Sequence, residues 1–433
     1  MKIAIFGGGL TGLSAAWYLS QKGHIITVYE GGEKLGGLAQ GFQEEGWGWA
    51  LEKTYHHIFS NDAAILSLAK EIKFDGFTFS RPTTSSLFGE RNNYRIFPVD
   101  SPKDFLLLPE LTLISKLRAG ITIAFLKISP FLSFFEKITS SDFLRKTMGE
   151  EAWNVLWRQL FRNKYGKYAE NILASFIWAR ISKRTPWLGY PNGGFQKFID
   201  ILAENNKGRG VVIKKSTTLI KVKKEGLEYG FITNEDGEEV AGRADAIIST
   251  LPYPNTLKTM RGVLGEEYCS MQEKRKYLFA INLILKTNEP ILKKTYWLNI
   301  GAQDIPIMCI VQHTNFIDKK HYGSKHISYI AWYVDKESEL LKKTEKELLS
   351  FVSQHIKNIT PTLIETPEVV RLFKVPYAQP IFDSDFLTIP QTFATPAKNI
   401  YIANLDMTYP YDRGTNYAVQ LGKDVSNYFL KNI

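Results

Sequence analysis

The chain has three glycines near its start with the spacing of a phosphate-binding turn: Gly7, Gly9 and Gly12. They lie between an apolar, strand-like run over residues 2–6 and a helix-like run that extends through Ser20. In such a turn the first glycine permits a tight bend, the second lets the backbone approach a pyrophosphate, and the third lets the helix pack closely on its strand. Because the unpaired amides of the helix N-terminus then face the phosphates, we predict that Leu10 and Thr11 also line a dinucleotide site.

An acidic residue follows at the position expected of a ribose ligand. The second apolar run, residues 24–29, ends at Glu30, about twenty residues beyond the glycines. A carboxylate there can accept hydrogen bonds from both ribose hydroxyls and disfavours a ribose phosphate. Strand context, spacing and acidic partner therefore agree, which weighs against a purely structural glycine turn.

Histidines are the candidates for proton transfer. His56 and His57 stand with Glu52 and Tyr55 just before a helix-like run. Imidazole is the side chain best able to transfer protons near neutral pH, so we predict that one of the pair lies beside the reacting atoms. The alternative is a loop pair that faces solvent or caps the helix. His313, in a polar cluster at a predicted strand end, is a further candidate, although a lone histidine is more often structural.

A second glycine pair, in the segment Leu35-Gly36-Gly37, indicates which dinucleotide is bound. With the first glycines it resembles the FAD-dependent amine oxidase superfamily, which includes protoporphyrinogen oxidases, phytoene desaturases and, more distantly, UDP-galactopyranose mutases. The resemblance implies FAD. Many members have a basic residue after the pair, whereas this chain has Leu38. Residues 191–195 resemble the Pro-x-Gly-Gly turn of the superfamily, and residues 55–59 resemble a His-Ile-Phe segment of the mutases.

The C-terminal segment resembles the same superfamily. A short apolar strand precedes Gly414, which starts a long helix whose dipole would stabilise negative charge on a reduced flavin. The usual Gly-Asp or Gly-Glu at the strand end is Ala403-Asn404 here. Besides the first glycines and Glu30, the resemblance implies these FAD contacts: Gly36, Gly37, Leu38, Val212 or Val222, Asn404, Gly414, Thr415 and Asn416. The candidates for catalysis are His56, His57, His313, Tyr377 and Arg413, and Gln379 is a candidate for the substrate wall.

These motifs predict an α/β fold in which a Rossmann-type FAD-binding domain is interleaved with a substrate domain. The FAD-binding parts are expected at residues 1–75, 188–255 and 391–433. The substrate domain is expected to contain a hairpin and helical cap over residues 76–187, and an antiparallel sheet with a helix over residues 256–390.

The predicted cap contains an apolar stretch and a basic one. In residues 105–138 no window reaches about eighteen uncharged apolar residues, so a transmembrane span is not expected. Packing inside the cap is the favoured interpretation of this stretch, and a membrane-facing helix or the mouth of a lipid tunnel is the alternative. Farther along, four cations interleave with aromatic residues and can bind a diphosphate or carboxylate: Arg158, Arg162, Lys164 and Lys167. A second basic group is expected to lie in water: Arg180, Lys183 and Arg184.

Composition narrows the class of partner. The 433 residues carry 54 lysines and arginines and 44 acids, a formal charge of +10, without a long basic block. We expect a solvated surface and no nucleic-acid partner. The two cysteines, Cys269 and Cys309, lack metal-ligand spacing, which favours a cytoplasmic setting and no metal. Some amine oxidases attach FAD through a cysteine near the C-terminus, and since neither lies there, FAD is expected to be bound non-covalently.

The leading hypothesis is an FAD-dependent oxidoreductase that takes a hydride or two electrons from a small organic substrate under the cap. That substrate is not identified by the sequence, with an isoprenoid or other lipid and a sugar nucleotide as candidates. The alternative is a non-redox mutase of a sugar nucleotide that uses reduced flavin as a nucleophile. A third option, an FAD-binding module without catalysis, is suggested by Leu38 and Asn404. Peripheral contact with a membrane is compatible with the cytoplasmic setting, and no oligomeric state is predicted.

Overall fold

The computed structural model describes residues 1–91, 93–363 and 365–433. Its strands, in chain order, are β1 (Lys2–Phe6), β2 (Ile25–Tyr29), β3 (Gly41–Phe42), β4 (Leu51–Glu52), β5 (Ile58–Phe59), β6 (Phe77–Ser80), β7 (Thr83–Glu90), β8 (Asn93–Pro98), β9 (Leu188–Pro191), β10 (Val212–Lys214), β11 (Thr217–Glu225), β12 (Glu228–Glu235), β13 (Glu238–Ala244), β14 (Ala246–Ser249), β15 (Tyr277–Thr287), β16 (Thr295–Ile300), β17 (Cys309–Gln312), β18 (His326–Val334), β19 (Glu368–Pro380) and β20 (Ile400–Ile402). Its α-helices are α1 (Leu10–Ser20), α2 (Ala63–Glu71), α3 (Pro102–Leu106), α4 (Leu113–Ile128), α5 (Leu132–Phe135), α6 (Ser140–Met148), α7 (Glu150–Ala152), α8 (Arg158–Tyr165), α9 (Ala174–Lys183), α10 (Phe195–Lys207), α11 (Tyr253–Leu264), α12 (Glu266–Gln272), α13 (Glu345–Ile359), α14 (Ser384–Leu387) and α15 (Thr415–Lys431).

Parallel strands form the sheet that the glycine motif predicts, in the order β10-β2-β1-β14-β20. Strand β1 is central, with Ile3 opposite Ile26 of β2 and Ala246 of β14. Helices α1 and α15 cover one face of this sheet, while strands β11–β13 and helix α11 cover the other. Both faces are thus buried, which explains why β1 is apolar at successive positions. The predicted α/β fold with a Rossmann-type domain is confirmed.

A second, mixed sheet forms the floor of the substrate region, in the order β19-β15-β18-β17-β16-β7-β8. Side chains of β18 alternate between its faces, so Tyr329 and Tyr333 point toward the cap whereas Ile330 and Trp332 pack beneath helix α13. The expected antiparallel sheet is present, with β16 and β7 paired in parallel at one place. The predicted hairpin near residue 90 is formed by β7 and β8, and Asn92 of its turn lies outside the described residues.

The first and last helices pack directly on each other. A side-chain carbon placed at Gly422 of α15 would lie 2.5 Å from the carbonyl oxygen of Thr11 and 2.7 Å from Ser14 Cβ, both in α1. Only glycine therefore permits this approach. As a result, the two N-cap residues Gly9 and Gly414 belong to helices of one layer.

Three local expectations were wrong. The pattern over residues 231–240 predicts one strand, but Asp236 and Gly237, with φ of 51° and 96°, form the turn between β12 and β13. Successive residues of positive φ are typical of a tight hairpin. The two prolines that flank Tyr377 predict a stiff loop, but this segment belongs to strand β19 and bulges there against β15. Helix α4, expected to pack inside the cap, presents its large apolar side chains outward.

We expect Gly422→Ala to destabilise the protein by about 1–3 kcal/mol, because its methyl group must displace the backbone of α1. Gly262→Ala is the matched control: this glycine is also helical, and a carbon there meets no atom within 4 Å. The control should be neutral or stabilising by up to about 1 kcal/mol, since alanine has the higher helix propensity. Urea unfolding of both variants measures the difference, and equal effects of the two substitutions would contradict the packing described.

Candidate active site

The glycine turn after β1 leaves an open cradle. A side-chain carbon at Gly12 would lie 2.0 Å from the carbonyl oxygen of Gly7, so the backbone itself closes this position. At Gly9 the nearest atom to such a carbon is Gly37 Cα at 3.7 Å, which is ordinary van der Waals contact. The second glycine pair is held there because Gly36 N donates to the carbonyl oxygen of the residue before Gly9, at 2.9 Å. The two glycine motifs therefore form one cradle, of the kind that a pyrophosphate approaches.

The N-terminus of α1 opens onto this cradle. Gly9 is the N-cap residue and supplies no capping side chain, so the first amides of the helix remain available to an anion. Leu10 is buried in the core and offers its backbone amide, while Thr11 is half-buried. The predicted contribution of these two residues is thus a backbone contribution.

The backbone orients Glu30 at the end of β2. Its Oε2 accepts a hydrogen bond from Gly8 N at 2.7 Å, and its Oε1 accepts one from Gly32 N at 2.8 Å. Each carboxylate oxygen has a second lone pair that can accept from a ribose hydroxyl. The predicted acidic ligand therefore lies beside the cradle.

The two valines that were candidates for the adenine end differ in exposure. Val222 is buried in the core between the two sheets and cannot reach a ligand, whereas Val212 is 51% exposed on the edge strand. Thr218 is exposed next to the Glu30 turn, since its Oγ1 would lie 3.0 Å from a side-chain carbon at Gly31. The bond from Thr217 N to Glu30 O at 2.8 Å fixes this position. Sequence reasoning missed Thr218, because the polar residues of β11 look like ordinary exposed strand residues.

Near the C-terminus, three buried polar atoms have no hydrogen-bond partner among the described residues: Asn404 Oδ1, Arg413 Nη1 and Thr415 Oγ1. The other amide atom of Asn404, Nδ2, donates to Leu251 O at 3.2 Å. Unpaired buried polar atoms are costly unless a ligand or water satisfies them. With the cradle and Glu30, these atoms fit an extended dinucleotide such as FAD. Asn416 is engaged elsewhere, since its Oδ1 accepts from the backbone amides of Ala64 and Ile65 at the start of α2.

Hydrogen bonds connect the predicted histidine pair to the residue that follows the second glycine pair. Thr54 Oγ1 donates to Leu38 O at 2.7 Å, and His56 Nδ1 lies 2.6 Å from Thr54 O. Because a carbonyl oxygen only accepts, Nδ1 of His56 carries the proton and Nε2 is the basic atom. His57 Nδ1 lies 3.1 Å from the hydroxyl of Tyr296 on the floor of the cap.

Both imidazoles are neutral at physiological pH. Burial and the charge of Arg413 lower the pKa of His56 to about 3. Burial, followed by the charges of Arg184 and Arg180, lowers the pKa of His57 to about 3. Each of the two residues is nevertheless only partly buried, whereas His313 is almost fully buried.

Cations from the cap and the C-terminal segment meet beside this pair. We call them the cation cluster: Lys164, Arg180, Arg184 and Arg413. Lys164 Nζ lies 2.6 Å and Arg180 Nη1 3.3 Å from the carboxylate of Asp412. Arg413 lies over the ring of Tyr333 at 5.0 Å, and Arg184 Nη2 donates to Thr84 Oγ1 at 3.3 Å.

Burial and charge compete within this cluster. Burial alone would raise the pKa of Asp412, but Lys164 and Arg180 outweigh it and hold that pKa at about 2. Burial also lowers the pKa of Lys164 to about 8. The carboxylate of Asp412 raises this pKa, but the charge of Arg180 partly cancels that effect. Lys164 is therefore a cation that can lose its proton just above neutral pH.

Only part of this cluster was expected from the sequence. Arg180 was expected in water, which is wrong, because it pairs with Asp412. Arg184 also lies near the histidines, and more than a third of its surface is accessible to solvent. Helix α9 ends at Lys183, so Arg184 follows the helix with an extended backbone, and no helical spacing could have predicted that it lies beside Arg180. Of the earlier basic group, Lys164 joins the cluster, whereas Lys167 pairs with Asp335.

A buried polar network lies behind the histidines. Glu52 accepts hydrogen bonds from the hydroxyl of Tyr190 at 2.8 Å and from Phe195 N at 3.0 Å. Burial outweighs these bonds and raises the pKa of Glu52 to about 7. His313 belongs to this region, with Nε2 2.8 Å from the hydroxyl of Tyr322. His313 is only 2% exposed, so its predicted place among the substrate contacts is not supported.

Two further candidates lie elsewhere in the floor sheet. The ring of Tyr377 packs on Tyr277 at 5.6 Å and on Phe279 at 5.4 Å, instead of on the histidines. Gln379 is buried in the same strand. Among the described residues, no group of three or more potential metal-binding side chains is found.

Comparison with known proteins agrees with this geometry. The profile of the flavin-containing amine oxidoreductase family matches residues 10–428. Coproporphyrinogen III oxidase of Staphylococcus aureus is 26% identical over 290 residues, which cover 58% of this chain and 60% of that enzyme. An oxidoreductase from Methanosarcina mazei superposes with a TM-score of 0.76 at 19% identity, over 99% of this chain and 100% of the other. Reduced UDP-galactopyranose mutase superposes with a TM-score of 0.75 at 17% identity, over 99% and 95% of the two chains.

These similarities differ in what they establish. At such identities the two solved structures show a shared fold, and the chain spans three fifths of the length of the curated relative. The family profile extends from the glycine cradle to the last helix, and the resemblance found in the glycine motifs is confirmed. The chain therefore belongs to the flavin-containing amine oxidoreductase family, as an oxidoreductase whose cofactor is FAD.

Proposed function

We propose that this enzyme oxidises an organic substrate that carries carboxylate groups. The observation that supports the proposal is the cation cluster beside His56 and His57. Its four positive charges face two carboxylates, Asp412 and Asp100, so the site remains net positive. Arginine binds carboxylates with two parallel hydrogen bonds, which would fix the orientation of such a substrate.

The residues that would hold FAD come from both ends of the chain. The glycine cradle and Glu30 fit the pyrophosphate and ribose, and Asn404, Thr415 and the first amides of α15 fit the flavin end. When bound, FAD supplies a two-electron acceptor. Cys269 and Cys309 are both buried and lie outside this group of residues, which supports non-covalent binding.

The histidines are suited to move a proton. Nε2 of His56 is unprotonated and can accept a proton from a substrate, and the hydroxyl of Tyr296 orients His57. Their low pKa values reflect burial beside cations. A bound carboxylate would offset those cations and raise both pKa values toward the usual range for imidazole, which couples substrate binding to proton uptake.

A porphyrinogen with carboxylate side chains is the first substrate to test, because the alignment with coproporphyrinogen III oxidase extends over 290 residues. Turnover of such a porphyrinogen with oxygen or an artificial acceptor tests the proposal directly. No oxidation across porphyrinogens and other carboxylated substrates would oppose it.

A sugar-nucleotide mutase is the second candidate, because a cation cluster also fits a diphosphate and reduced UDP-galactopyranose mutase shares the fold. Anaerobic conversion of a nucleotide sugar without net oxidation would decide for this activity. The domain boundaries and the cytoplasmic setting given above stay predictions.

We expect Gly9→Ala to abolish FAD retention without destabilising the apoprotein. The added methyl group finds ordinary contact distances in the protein but occupies the side of the cradle that a pyrophosphate would approach. Flavin absorbance per mole of purified protein and urea unfolding of the apoprotein measure the two effects separately. Gly12→Ala is the contrast, since its methyl group meets Gly7 O at 2.0 Å and should lower stability as well. Full FAD content in the Gly9→Ala protein would contradict the cradle.

We expect Arg184→Gln to raise KM for a carboxylated substrate about 10- to 100-fold, because one charged hydrogen bond is lost. FAD content should not change. Arg243→Gln is the matched control, since Arg243 pairs with Glu225 on the exposed β11–β13 sheet. Steady-state kinetics of both variants provide the measurement, and an unchanged KM for Arg184→Gln would argue against a carboxylate at this position.

Substrate affinity should fall as pH rises through about 8. Lys164 has its pKa lowered to about 8, so it is charged below that pH and neutral above it, whereas Asp412 stays ionised throughout. Lys164→Arg should remove this transition, because arginine keeps its charge. The pH profile of kcat/KM checks the prediction, and a transition that persists in the arginine variant would assign it to another group.

A further inference from the structure

Helix α4 exposes its large apolar side chains and buries its small ones. Its buried face consists mainly of small residues at helical spacing: Ser115, Ala119, Thr122 and Leu126. Its opposite face carries large apolar side chains that are between 42% and 80% exposed: Leu113, Ile114, Leu117, Ile121, Phe125 and Ile128. A helix on the surface of a water-soluble protein normally directs its apolar side chains toward the core. Here the apolar side faces away from it.

The apolar surface continues beyond this helix. Leu106 and Leu107 precede it at 58% and 67% exposure, and Phe131 and Phe134 follow it at 65% and 51%. We call this continuous surface, formed by α3, α4 and α5, the cap patch. Contiguous exposed patches of this kind mark a surface that another apolar phase covers.

The cap patch cannot be a bilayer-crossing segment. Helix α4 has 16 residues, and among the described residues no helix is long and apolar enough to traverse a membrane. A helix of this length can instead lie in the plane of the interface with its apolar side immersed.

The charged side chains of α4 itself are all cations. Residues 111–135 contain no aspartate or glutamate, but they contain Lys116, Arg118 and Lys127. These cations donate to backbone carbonyl oxygens, for example Lys127 Nζ to Arg184 O at 2.7 Å. In the described part of the chain no carboxylate forms an ion pair with any of the three, so their charge is available to anionic headgroups. Glu151 of α7 accepts hydrogen bonds from Thr112 and Ser115 at the start of α4, so one carboxylate lies at this end of the patch.

We infer that the cap patch docks this enzyme on the surface of an anionic lipid bilayer, with α4 lying parallel to the membrane. A second copy of this chain would bury the same apolar side chains, but two identical patches would bring the uncompensated cations of both copies together. An anionic bilayer satisfies both the apolar surface and its basic flank. This inference does not depend on the substrate, since it rests on a surface outside the cation cluster.

The docking face is next to the active site. Lys127 near the end of α4 donates to the carbonyl oxygens of Ile181 and Ser182 at the end of α9, at 3.3 and 3.2 Å. Helix α9 in turn carries Arg180 of the cation cluster. One helix therefore separates the lipid surface from the site, which would suit a substrate that partitions into membranes.

Vesicle sedimentation of the FAD-loaded enzyme tests the inference. The wild-type enzyme should sediment with vesicles of phosphatidylcholine that contain one third phosphatidylglycerol, less with phosphatidylcholine alone, and less at high salt. The triple variant Ile114→Glu, Leu117→Glu and Ile121→Glu should lower the bound fraction at least about tenfold. Its FAD content and circular dichroism should be unchanged, because the replaced side chains are exposed.

Leu227→Glu is the matched control, since Leu227 is 94% exposed on the turn between β11 and β12, away from the patch. It should bind vesicles like the wild type. Failure of the wild type to sediment with any vesicle would overturn the inference. A wild-type dimer in light scattering that the triple variant converts to a monomer, without vesicle binding, would assign the patch to a second copy instead.

Discussion

The close contact between α1 and α15 determines where the cofactor site can form. Gly422 admits the carbonyl oxygen of Thr11 at a distance that any side chain would prevent. Residues more than four hundred positions apart are thereby packed in one layer over the central sheet. The proposed cofactor site requires this packing, because it combines the glycine cradle near Gly9 with the unpaired atoms of Asn404 and Thr415. Each half alone would offer part of the contacts that a dinucleotide requires.

A second long-range interaction attaches the cap to the segment that precedes α15. Asp412 precedes α15 and is shared by Lys164 of α8 and Arg180 of α9. Burying three charges is costly unless they are paired and surrounded by favourable dipoles or rings. Lys164 lies 4.7 Å from the ring centre of Phe176, and Arg413 lies over Tyr333, so aromatic faces supply part of that compensation.

Local signals predicted the elements well. The run into Gly7 is a strand that ends where the glycines begin, and α1 ends at the predicted Ser20. These features follow from backbone chemistry within a few residues.

The cation cluster required contacts across 232 and 248 residues, which no local spacing encodes. The sequence likewise identified the apolar stretch that contains α4, but not the direction in which its side chains point, because that direction depends on what packs behind Ser115 and Thr122. The turn at Asp236 and Gly237 had a recognisable local signature, and it was overlooked.

The position of Asn416 has a consequence for protein synthesis. Its side-chain oxygen caps helix α2, accepting from the amides of Ala64 at 2.9 Å and Ile65 at 3.2 Å. Helix α2 is translated some 350 residues before its cap. Until residues 415–431 have been synthesised, α2 lacks this cap, and the glycine cradle lacks the contacts that Thr415 and the first amides of α15 would add. A nascent chain can therefore complete the proposed cofactor site only after α15 has been made.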